Sequence, residues 1–154
     1  MKDINYSIII PHKNTPDLLW RCLSSIPKRK DIEIIIVDDS SDPKIVNFDN
    51  FPGSNRDDAH IYFTKENKGA GFARNVGIKN ANGQWLLFAD ADDFFLEGFL
   101  SVLDNYKESD ADIVFFKSLS VYSDNLKPAD RHFEIDSLIE NYLSNKKNSE
   151  NKLR

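Results

Sequence analysis

Residues 32–37 (IEIIIV) leave this chain few ways to fold. A strand with one wet face alternates polar and apolar side chains, but this run is apolar everywhere except Glu33. It needs cover on both faces, which calls for a sheet clothed by helices on both sides. Three further β-rich runs share its character: 6–11 (YSIIIP), 60–64 (HIYFT) and 85–89 (WLLFA). Helical signals fall between them. Thr15-Pro16-Asp17 offers a capping hydroxyl, Pro at the first helical position and an acid in the first turn. Leu18, Leu19, Cys22, Leu23 and Ile26 follow at helical spacing up to Pro27. Gly69 opens a second helix running to about Asn80, and Asn82-Gly83 marks a turn. Leu96, Phe99, Leu100 and Leu103 stripe a third helix. Residues 41–58 read as a long connection with at most a short helix. Strands alternating with helices predict an α/β domain built on a mainly parallel sheet.

Past this alternation the signals thin. Residues 113–122 (IVFFKSLSVY) predict a further extended stretch. Ile135, Leu138, Ile139, Tyr142 and Leu143 predict a last helix, whose apolar stripe needs its own core, a second copy or a partner to cover it. We expect one domain over residues 1–144 and a polar, Lys- and Asn-rich tail over 145–154.

The 154 residues suffice for one domain with a real core, and a hydrophobic fraction of 40% marks a globular chain. A net charge of −5 gives no electrostatic case for binding nucleic acid. The single cysteine, Cys22, excludes an intramolecular disulfide and reads as a buried thiol in a reducing compartment. The opening MKDINYSIIIPHKN has too short an apolar run for a signal peptide, and no segment approaches the ~18 apolar residues of a membrane span. The expected location is cytoplasmic, with peripheral contact at the inner face of a membrane left open.

Each strand is followed by chemistry. Pro11-His12-Lys13-Asn14 follows the first and Asp38-Asp39-Ser40-Ser41-Asp42 the second. Lys68-Gly69-Ala70-Gly71 comes shortly after the third, and Asp90-Ala91-Asp92-Asp93 directly after the fourth. In a parallel sheet all four clusters fall at the carboxyl edge, where such folds bind ligands. Taken singly, each stays ambiguous. Asp90 and Asp92 would point the same way on an extended backbone and suit a hard divalent cation, or an acid there simply caps the next helix. Asp38 and Asp39 could accept hydrogen bonds from a ribose or a base, or form a turn. Gly69, Gly71 and Arg74 resemble an anion-binding helix start, though GxxxxGK[ST] is absent. Of the three histidines only His12 lies at this edge, and none has metal-ligand spacing.

Together, SIIIPHKN, IEIIIVDDSSD and ENKGAGFARNVGIKNANGQWLLFADADD, in this order and on these strand ends, resemble a known family. It is glycosyltransferase family 2, the large group of inverting enzymes that includes cellulose, chitin and many bacterial polysaccharide synthases. The resemblance implies a GT-A-like (Rossmann-like) three-layer domain and a nucleotide-sugar donor, usually a UDP-sugar. It implies that Pro11, His12 and Asn14 line the base and ribose pocket, and that Asp39 binds base or ribose beside Asp38. Gly71 and Arg74 would face the nucleotide. Asp90 and Asp92 would be the Asp-x-Asp, one on ribose and one on Mn²⁺ or Mg²⁺ at the diphosphate, with Asp93 a competing ligand. The acceptor would be a saccharide or a lipid-linked glycan in bacterial polysaccharide or glycoconjugate synthesis.

Two departures stand out. An aromatic residue often precedes the Asn of the first motif, and here Lys13 stands there. Relatives also carry the acceptor site and general base well beyond the Asp-x-Asp. None of Asp124, Asp130, Glu134 and Asp136 has a recognisable context for that base, so the acceptor-binding part is expected to be missing from this chain. The alternative reading is a non-catalytic nucleotide-sugar-binding module that docks on a partner through residues 135–143. A phosphoacceptor receiver fails because its acidic pair follows the first strand, not the second. A nucleotidyltransferase fails because no glycine- and arginine-rich loop follows the first strand.

Overall fold

The computed structural model describes residues 4–116, 119–122, 126 and 127. Contacts divide the chain into one unit ending at Asp110 and another beginning at Ala111. The first unit holds every regular element among the described residues. In chain order these are β1 (Tyr6–His12), α1 (Pro16–Ser24), β2 (Ile32–Asp39), β3 (Ala59–Thr64), α2 (Ala70–Asn80), β4 (Trp85–Phe88) and α3 (Phe99–Asp104). A three-residue 3-10 turn, Phe48–Asn50, breaks the long connection between β2 and β3.

The sheet is wholly parallel, in the order β3-β2-β1-β4. Every residue of β2 is buried, as its unbroken apolar run demands. Two apolar layers flank the sheet. Ile8, Ile10, Ile34 and Ile36 pack with Leu19, Cys22 and Leu23 of α1 and Leu103 of α3 on one face. Ile9, Ile35 and Val37 pack with Ala73 of α2 on the other. The helix α2 sits very close to the sheet at Gly77, where an added Cβ would come within 2.4 Å of the Ile9 side chain.

A buried carboxylate pins the sheet at its amino-terminal end. Glu33 accepts from the Ser7 hydroxyl and the Asn82 N–H, both at 2.6 Å, and the Gly83 N–H donates to Ser7 Oγ at 2.8 Å. The turn before β4 is thus tied to β1 and β2. Burial alone would raise the Glu33 pKa, but the bonds from Ser7 and Asn82 outweigh it and hold the carboxyl below its usual range.

Three expectations change. The third helix begins at Phe99 rather than at residue 96, because Gly98 takes a left-handed φ of 84° and Leu96 is left exposed before it. The Thr15 side chain makes no capping bond to α1. In the second unit, residues 113–116 and 119–122 form no strand, and Phe115 is 90% exposed. There the Leu126 N–H bonds the Tyr122 carbonyl (2.8 Å) and the Tyr122 N–H bonds the Lys127 carbonyl (3.0 Å). The helix expected at 135–143 and the tail at 145–154 lie outside the described residues.

Candidate functional site

The parallel register brings the four polar clusters to one edge. His12 aligns with Asp38, Asp38 with Phe63, and Asp39 with Thr64. The strand β4 ends level with Ile9, so Asp90 follows beside the last residues of β1. Positive φ angles gather at this edge in Asn14 (56°), Ser40 (62°), Asn67 (44°) and Gly69 (87°). Backbone held in that region by non-glycine residues stores strain, which tertiary bonds must offset.

Those bonds centre on two buried residues. The His12 side chain is fully buried, with Nδ1 2.8 Å from Asp38 Oδ2. The Thr15 N–H points at His12 Nε2 from 3.2 Å, so Nε2 accepts and Nδ1 donates to Asp38. Asp38 also accepts from the Ser41 N–H and hydroxyl. Ser41 Oγ in turn accepts from the Asn14 N–H, and the Asn14 side-chain oxygen accepts from the Asp42 N–H, both at 2.8 Å. Burial would lift the Asp38 carboxyl, but hydrogen bonds from His12 and Ser41 bring it below its usual range. The ring of His12 meets Phe51 edge-on, with centroids 5.4 Å apart.

Asp39 faces the other side of the sheet. Its carboxylate accepts from Thr64 Oγ1 at 2.9 Å and from the Lys68 and Gly69 N–H groups at 3.2 and 2.6 Å. A strand-end carboxylate thus occupies amides just before α2 that a ligand anion could otherwise use. Any ligand contact by Asp39, which is 2% exposed, would require one of these donors to yield. Gly71 is open: beyond its chain neighbours and its own helix backbone, nothing lies within 4 Å of where its Cβ would be. Pro11 is half-buried at the end of β1, and the Lys13 ammonium reaches across to the Asn67 side-chain oxygen.

The β4 end has a different character. The chain does not stay extended there, because the Asp93 N–H bonds the Asp90 carbonyl at 3.0 Å and closes a turn. Asp90 is half-exposed and ion-pairs with Arg74 of α2. Arg21 of α1 donates to the Asp92 carbonyl and lies over the Phe94 ring, 5.4 Å from its centroid. Burial, then the neighbouring charges of Asp92 and Asp90, pushes the Asp93 carboxyl above its usual range. The three acids therefore feel one another. Among the described residues, however, no group of three or more acid, His or Cys side chains is arranged to hold a metal ion.

A cavity of about 390 Å³ is lined by residues 43–49. Another of about 330 Å³ lies against Lys28, Glu33 and His60. Neither is lined by Pro11, Asn14, Arg74 or Asp90. Ser41, Thr64, Asn67 and Arg21 were not among the residues expected from sequence. Ser41 lies in the DDSSD turn, which gave some signal; Arg21 reads only as one more helical residue.

The model of the family described as glycosyl transferase family 2 matches residues 7–153. An uncharacterized glycosyltransferase of Rickettsia felis is 34% identical over 110 residues, covering 70% of this chain and 18% of that protein. The poly(ribitol-phosphate) beta-glucosyltransferase of Bacillus spizizenii is 35% identical over 117 residues, covering 72% of this chain and 18% of the enzyme. Among solved structures, S. aureus TarS 1-349 in complex with UDP-GlcNAc superposes with a TM-score of 0.57 at 27% identity. That match covers 67% of this chain and 31% of TarS 1-349. This chain therefore spans under a third of that structure and under a fifth of the two sequence relatives.

Proposed function

The chain belongs to glycosyl transferase family 2, and from that premise we propose that it forms the donor-binding portion of an inverting glycosyltransferase. The observation that carries the reading is the shared edge: an exposed acid at β4 and an arginine on α2 stand beside strained loops at the ends of β1, β2 and β3. The solved relative TarS, which shares the fold, binds UDP-GlcNAc. A UDP-sugar is accordingly the proposed donor. Pro11 and Asn14 border the base and ribose. His12, Asp38 and Asp39 form the buried frame that sets the loops around them. Gly71 leaves room for close approach, and Arg74 meets the diphosphate.

The residues at the β4 end fit a divalent cation. They are hard oxygen donors, burial and then the charges of Asp92 and Asp90 raise Asp93, and Mg²⁺ typically takes one or two carboxylates plus phosphate and water. Asp90 and Asp92 would hold it, with Asp93 in competition. When bound, Mn²⁺ or Mg²⁺ supplies Lewis-acid stabilisation of the leaving diphosphate. Asp90 and Arg74 then fix the donor so that its anomeric carbon faces the acceptor. The acceptor hydroxyl forms the new C–O bond from the face opposite the nucleotide, the bond to the diphosphate oxygen breaks, and the configuration inverts. A carboxylate beyond the described residues takes the acceptor proton. The acceptor is proposed to be a glycan or polyol-phosphate polymer, following the poly(ribitol-phosphate) in the name of one relative. No helix among the described residues is long and apolar enough to cross a membrane. The donor half is proposed to work in the cytoplasm.

Calorimetric titration of the chain with UDP, then other nucleoside diphosphates, with Mn²⁺ present or chelated, tests the reading. Metal-dependent UDP binding that disappears in Asp92→Ala supports it. A folded chain that binds no nucleotide overturns it.

A further inference from the structure

Arg74 does more at this edge than wait for phosphate. Its guanidinium is bonded to the Asp90 carboxylate, joining α2 to the segment after β4. Arg21, the other arginine at this cluster, acts on Asp93 through its charge but gives its hydrogen bond to the main-chain carbonyl of Asp92. Among the described residues, Arg74 is therefore the one side-chain cation hydrogen-bonded to an acid of the 90–93 turn. Arg74 is about one-third exposed and Asp90 about one-half, so both are reachable from solvent. The arginine stem is long enough to swing without moving its helix.

Resting on the donor-site reading above, we infer that Arg74 is a resident counter-ion at Asp90, exchanged between Asp90 and the donor diphosphate as the site loads. While Arg74 sits on Asp90, its positive charge opposes a second cation at the same carboxylate. When a diphosphate arrives, it offers Arg74 bidentate, charge-assisted hydrogen bonds stronger than one half-exposed ion pair. Asp90 is thereby released. The device disfavours a divalent ion without donor and couples cation loading to nucleotide loading, a reciprocal linkage.

The exchange predicts effects of opposite sign from one substitution. In Arg74→Gln, Mn²⁺ alone should bind about fivefold more tightly, the scale of an exposed ion pair. UDP in the presence of Mn²⁺ should bind about tenfold more weakly, the scale of a lost hydrogen bond between charged groups. Arg74→Lys keeps the charge and should leave Mn²⁺ affinity near wild type. Free Mn²⁺ followed by electron paramagnetic resonance, with UDP followed by calorimetry, reads both without any transfer assay. If Mn²⁺ affinity is unchanged in Arg74→Gln, or falls together with UDP affinity, Arg74 is not a counter-ion at Asp90 and the inference is overturned. A wild-type chain that binds no UDP overturns the donor-site reading first, and that failure shows before any substitution is made.

Discussion

Replacing His12 separates a frame residue from a ligand contact. In His12→Ala, buried Asp38 loses one of its three donor contacts, and the half-buried Thr15 N–H loses its acceptor. The ring also leaves a void against Phe51. A buried polar group left without a partner costs about 1–3 kcal/mol, and an unfilled cavity adds to it. We expect His12→Ala to lower unfolding free energy by about 3–5 kcal/mol, seen as a lower urea midpoint at unchanged slope. His12→Asn puts an amide N–H close to the position of Nδ1 and restores the Asp38 bond, leaving only Thr15 and part of the void. Its cost should be about 1–2 kcal/mol. Because the side chain is fully buried, His12→Asn should bind UDP within about threefold of wild type, a shift of under 1 kcal/mol. A His12→Ala cost below about 1 kcal/mol would refute the frame argument. So would a large loss of UDP affinity in a His12→Asn chain of near-native stability.

Other expectations follow from the same contacts. Asp31, Glu33 and Asp38 are all held below the usual carboxylate range in the folded chain. Their stabilisation is present above the unfolded pKa of about 4 and disappears as pH falls through the lowered folded values. Urea midpoints should therefore drop steeply below about pH 4, and Glu33→Gln should flatten that drop while lowering stability at pH 7. Cys22 is fully buried, and burial pushes its thiol up to about 12. It should resist a thiol reagent at pH 8 and react promptly only in denaturant; equal rates in both would mean the α1 face is open. Gly83→Ala sets a Cβ 2.6 Å from the Ser7 backbone nitrogen, so melting should show a loss of about 1–3 kcal/mol. Gly71→Ala meets open space inside α2 and should raise stability by about 0.5–1 kcal/mol while weakening UDP binding.

Local pattern reached the elements and stopped at their partners. The apolar run 32–37 announced a doubly covered strand, and the alternation around it announced a parallel sheet with its polar clusters at one edge; both stand in the structure. Failures came where a short-range bond or turn overrode the pattern. Thr15 has the right chemistry to cap α1, yet its backbone (φ −131°, ψ 55°) is turned to hand its N–H to His12. The helical stripe that includes Leu96 is cut by Gly98. The Asp-x-Asp was read as extended chain, but β4 ends at Phe88 and a turn follows. The strand-end acids show the deeper limit. Asp38, Asp39 and Asp90 are alike in sequence, each an aspartate just where an apolar run ends. What distinguishes them is who reaches them. Asp38 is claimed by a histidine 26 residues away and Asp39 by an amide 30 residues away, and both are buried. Asp90 meets a guanidinium that is about one-third exposed, and is itself about half open to solvent. Such pairings depend on register, which no window of the sequence contains. Carboxylates saturated by the fold hold loops in place, whereas Asp90 stays half-exposed in its pair with Arg74, and this difference is why we propose the β4 end as the place where the edge meets its ligand.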